Sequence, residues 1–80
     1  MTPAARINAA IDLIDRVQSG ELADRAMASW GRSNRYAGSK DRASIADIVY
    51  EVLRKKQSFA ALGGGQTGRA LLLGFVRASK

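Results

Sequence analysis

The spacing of five apolar residues, Ile45, Ile48, Val49, Val52 and Leu53, constrains this chain more than any other feature. They fall at i, i+3, i+4, i+7 and i+8, the stripe of an amphipathic helix. The adjacent pairs Ile48-Val49 and Val52-Leu53 break the alternation that a strand would need. So continuous a stripe must be buried against other elements, and the rest of the chain offers only helices for that purpose. Ser39 is expected to cap this helix by accepting from a free first-turn N–H, with Asp41 near the positive end of its dipole. Glu51 can pair with Lys55 four residues on, for roughly 0.2–0.5 kcal/mol. The segment closes on Arg54-Lys55-Lys56, which can be explained in two ways. Cations complement a helix C-terminus at roughly 0.3–1 kcal/mol each, or they contact phosphates.

Four helices are predicted along the chain. Thr2 caps the first, with Pro3 at its first position, and Gly20 stops it. Ile7, Ala10, Ile11, Ile14 and Val17 form its buried stripe, with Leu13 at the margin. A second helix covers Glu21 to Trp30, with Leu22, Ala26, Met27 and Trp30 on its apolar face. Trp30 reads as a core anchor more naturally than as a stacking platform. Residues 31–38 form a loop by their glycines and polar side chains. After the central helix, residues 57–62 continue it or add a short turn, with Phe59 and Leu62 in the core. The glycines of residues 63–68 interrupt the helical pattern. They match neither a Walker loop nor GxGxxG, and no strand precedes them, so they read as a connection. Thr67 caps a last helix from Gly68 to Ser79, in which Leu71, Leu72, Leu73, Phe75 and Val76 cover most of the surface. That is more apolar surface than one buried face of an 80-residue domain absorbs. A truncated domain or a partner-contacting helix would account for it. The fold class expected is an all-α bundle of about four helices in a single domain.

Charge narrows the function. The chain carries 13 Lys and Arg against 7 Asp and Glu, a formal net charge of +6. The segregation is more telling: residues 1–24 hold four of the acids, and none follows Glu51. An acid-free stretch after Glu51 points to a polyanionic partner. The densest basic group is Arg32, Arg35, Lys40 and Arg42 around Tyr36. Arginines in a loop can grip phosphates bidentately, and a tyrosine can stack on an unpaired base. Arg54, Lys55 and Lys56 form a second candidate group, and the helix amides near Ser39 a further anion site. The chain has no cysteine and no histidine. Disulfides, thiolate nucleophiles and the usual zinc sites are therefore excluded. The first residues lack a signal-peptide pattern and no apolar run reaches membrane-spanning length, so a cytoplasmic location is expected. A helix-turn-helix fits poorly, because the interval from Trp30 to Ser39 is longer than its usual turn.

Asp41-Arg42-Ala43, followed by Ile48-Val49-Tyr50-Glu51-Val52-Leu53-Arg54, resembles the N-terminal NusB-like helical domain of the RsmB/Sun family. Those proteins are S-adenosylmethionine-dependent ribosomal RNA cytosine-5 methyltransferases. Glu51 stands where the family usually has glycine. Gly20-Glu21-Leu22-Ala23, after the Ile11-Leu13-Ile14 helix, also fits, and the likeness extends best over residues 1–60. The resemblance implies an RNA-binding accessory domain whose catalytic partner domain holds S-adenosylmethionine and the nucleophilic cysteine. Neither belongs to this chain, which on this reading carries no cofactor or catalytic residue of its own. NusB-like domains also pair with proteins. The alternative implied is therefore an interaction module, monomeric or weakly associating through its last helix.

Overall fold

Each helix is laid out by its own local chemistry. In the computed structural model, which describes residues 2–78, Thr2 Oγ1 accepts from Ala5 N–H at 3.1 Å and Pro3 opens α1 (Pro3–Gln18). Gly20 takes a φ of 113°, a left-handed conformation that suits glycine, and ends the helix as expected. α2 spans Ala23–Ser33, α3 Ser39–Arg54, α4 Lys56–Gly63 and α5 Gly68–Ala78. The described residues are thus all-α, with five helices where four were expected. The extra one arises because the chain bends at Lys55 and residues 56–63 form a separate helix.

α1 is the central element and packs against α2, α3 and α5, while α4 and α5 form a close hairpin. The core contains Ala10, Leu13 and Ile14 of α1, Ala26 and Trp30 of α2, and Ile45, Val49 and Val52 of α3. Phe59 of α4 and Leu71 and Leu72 of α5 complete it. The α3 stripe behaves as predicted, with Ile48 and Leu53 packed at its edges. Phe59 and Phe75 meet edge to face, with centroids 5.8 Å apart. Thr67 Oγ1 accepts from Ala70 N–H at 3.2 Å, the cap expected for α5.

Five local expectations are corrected. The loop expected over residues 31–38 is shorter, because Gly31, Arg32 and Ser33 continue α2. Leu13 lies at the centre of the α1 face rather than its margin, and is fully buried. Leu22 is 65% exposed: Arg16 forks onto Glu21 with two 2.9 Å bonds, and the helix starts only at Ala23, so Leu22 stays outside the packed face. Leu62 is exposed because Phe59 and Gly63, one turn apart, are the α4 residues that face α5. The cap of α3 is Gly38, with Ser39 already helical. Asp41 displaces Ser39 from that role by reaching back to the Gly38 N–H, at 3.4 Å.

Candidate nucleic-acid interface

The connection between α2 and α3 is held by one side chain that composition does not single out. Asn34 donates to the Trp30 carbonyl from both its backbone N–H and its Nδ2, each at 2.9 Å. Its Oδ1 accepts from the Tyr36 hydroxyl at 3.0 Å, and its carbonyl from Ala37 N–H at 3.0 Å. Ala37 is itself buried in the core. The loop is therefore tied down at Trp30 and at Ala37, and Arg35 and Tyr36 between those ties are left in solvent. Tyr36 is 76% exposed, so its ring does not pack on a neighbouring helix. Asn34 and Ala37 were not singled out in the sequence. The signal available was an Asn followed within four residues by a glycine, which is ordinary turn composition.

Arg32 ends α2 and Lys40 and Arg42 begin α3; all three are exposed. The Arg42 side chain lies along the last turns of α2, with its Cδ 3.8 Å and its Nη1 3.9 Å from where a Cβ on Gly31 would stand. The one acid nearby, Asp41, points inward instead: its Oδ1 accepts from Arg6 Nε at 3.0 Å and Nη2 at 2.7 Å. The Arg6 guanidinium, helped by the Gly38 amide, holds the Asp41 carboxyl below the usual carboxylate range. Arg32, Arg35, Lys40 and Arg42 form no ion pair among the described residues. At the α3 N-terminus the Asp41 carboxylate accepts from the Gly38 N–H.

The second group lies at the other end of α3. Arg42 and Arg54 are twelve residues apart, about 18 Å along the helix at 1.5 Å per residue, so the two groups do not merge. Arg54 and Lys55 both pair with Glu51, the latter at 3.0 Å as the spacing predicted. Lys55 and then Arg54 lower the Glu51 carboxyl below its ordinary range. Lys56 differs from both. It opens α4, at the positive end of that helix, so dipole complementarity accounts for Arg54 but not for Lys56. A depression of about 460 Å³ runs along this elbow from Leu53 to Ser58.

Elsewhere the polar side chains serve as struts. The Tyr50 hydroxyl donates to Asp24 Oδ1 at 2.6 Å, tying α3 to α2, and that carboxylate pushes the phenol upward from its usual range. Gly68 N–H donates to Asp15 Oδ1 at 2.7 Å, tying α5 to α1. No cluster of metal-ligating side chains occurs among the described residues, and no helix is long and apolar enough to cross a membrane. Comparison with family profiles, with curated proteins and with solved structures finds no match to this chain.

Proposed function

We propose that this chain is an RNA-binding helical domain. On this reading it accompanies an S-adenosylmethionine-dependent ribosomal RNA cytosine-5 methyltransferase domain and positions RNA for it. The observation that carries the reading is the α2–α3 junction. Four exposed cations without ion pairs among the described residues flank an exposed tyrosine along the chain, while the intervening acid is turned inward to Arg6. Arg32, Arg35, Lys40 and Arg42 would contact phosphates, and Tyr36 would stack on an unpaired base. Lys56, with Arg54 and Lys55 once released from Glu51, would extend the contact to the far end of α3. Methyl transfer and its cofactor would belong to the other domain.

The test is titration of a fluorescent single-stranded RNA at low and physiological salt. Affinity should fall steeply with salt. Replacing Arg32 and Arg35 together by Ala should weaken binding about tenfold, the equivalent of about 1.4 kcal/mol. Salt-insensitive binding, or an unchanged Kd in the double variant, overturns the reading. A protein-interaction module is the second reading, favoured by one observation: α5 leaves Leu73 and Val76 exposed beside an apolar groove.

A further inference from the structure

α1 and α5 leave between them a groove of about 280 Å³, away from every residue of the cationic cluster. Ile7 and Ile11 of α1 form one wall, and Leu72, Leu73 and Val76 of α5 the other. Leu72 is fully buried as the floor, while Leu73 and Val76 are 42% and 39% exposed on the rim. On α5 these residues are flanked by Arg69, which lines the groove and forms no ion pair among the described residues. Arg77 follows one turn after Leu73 but does not line the groove, its Nη1 donating to the Leu62 carbonyl of α4. The α1 rim carries neutral Asn8, with Asp12 one turn beyond it.

We infer that this groove docks an amphipathic helix of a partner protein, its apolar face between α1 and α5 and a carboxylate against Arg69. This rests on the interaction-module reading and supplies the chemistry of its partner. Shape favours a helix: two helix walls with an apolar floor receive apolar anchors at i, i+3 or i+4, and i+7, whereas a flat lipid surface leaves the floor unfilled. Charge decides between occupants. A second copy would bring +6 against +6, whereas an acidic partner offsets both that charge and Arg69. Asp12 keeps the α1 rim from being basic, so the occupant's carboxylate belongs on its α5 side.

The experiment uses the full chain and two labelled helical peptides of about five turns each. Both carry leucines at i, i+4, i+7 and i+11. One has glutamates flanking the leucines, the other lysines. Anisotropy should show the glutamate peptide binding about fivefold tighter, from an ion pair at Arg69 in place of a repulsion. Amide shifts in the NMR spectrum should concentrate on residues 7–11 and 69–77. Arg69→Glu should remove the preference, and Leu73→Ser with Val76→Ser, both on the exposed rim, should weaken binding of the glutamate peptide with the helical circular dichroism unchanged. Equal or stronger binding of the lysine peptide overturns the occupant's chemistry but leaves an interaction surface. So does a concentration-dependent dimer by light scattering, or equal binding to phosphatidylglycerol vesicles. Failure of both peptides to bind a chain that stays monomeric overturns the docking inference; the interaction-module reading falls separately, if the chain also captures no protein partner in a pull-down. An unchanged RNA affinity in the Leu73→Ser, Val76→Ser variant is expected in every case.

Discussion

The Asp41 carboxylate accepts from Arg6 on α1 and from the Gly38 amide that precedes α3. One acid thereby joins two helices and leaves the cations around it without an internal counter-charge. Because its folded pKa is depressed, its stabilising effect is present above the unfolded value near 3.8 and is lost as pH falls through the lower folded value. Asp41→Asn should therefore lower Tm at neutral pH, and the gap to the parent chain should close as thermal melts are carried down to about pH 2. A gap that stays constant with pH would mean that the charge is not what matters there. Asp41 was legible in the sequence as a helix-start acid. Its long-range bond to Arg6, 35 residues away, was not, because i to i+4 rules reach only along one helix.

Among the elements, the α4–α5 hairpin depends on close backbone approach. A Cβ on Gly74 would lie 2.0 Å from the Phe59 carbonyl oxygen, and one on Gly63 would lie 1.8 Å from that of Ala70. Backbone atoms cannot rotate away as a side chain can. Helix propensity alone would make Gly74→Ala favourable by about 1 kcal/mol, yet the contact reverses the sign. A net loss of about 1–3 kcal/mol in urea unfolding is expected from overpacking. Gly31→Ala is the matching control, since its Cβ would make only ordinary contact with Arg42 at 3.8 Å. There a gain of about 0.5–1 kcal/mol is expected. In sequence Gly74 sits inside an apolar helical pattern and Gly31 reads as the start of a loop; only packing shows that both are helical and which one tolerates a Cβ. The bend at Lys55 was equally hidden: Gln57 to Leu62 is compatible with a continued α3 or with a separate α4, and the choice was made by where Phe59 could meet Phe75.

On the scale of the whole molecule, the α-carbons fill a slab of 34 × 28 × 15 Å, and the two cationic groups occupy opposite ends of α3 within it. Short and long RNAs should therefore respond differently. For an oligonucleotide long enough to cover only the α2–α3 junction, removing Arg32 and Arg35 should reduce the slope of log K against log salt by about 1.4, two contacts at roughly 0.7 each for a single strand. Lys56→Ala should leave that short oligonucleotide unaffected and weaken only a longer one. Equal effects of Lys56→Ala on both lengths would show that the two ends do not act as separate contacts.

What the sequence determined by itself was local. The stripe from Ile45 to Leu53, the Thr2-Pro3 start, the Gly20 stop, the Thr67 cap and the Glu51–Lys55 pair each follow from interactions within a few residues, and the all-α class follows from their sum. The candidate cations were legible as a cluster because Arg32, Arg35, Lys40 and Arg42 are close in the chain. Tertiary structure decided which of them are free. It turned Asp41 to Arg6, laid Arg42 along Gly31, fixed the loop through Asn34 and Ala37, and separated Lys56 from Arg42 by most of the length of α3. It also set Leu73 and Val76 on the rim of a groove shared with α1. Each of these depends on which helix lies beside which, and that is settled by burial summed over the whole core rather than by any local pattern.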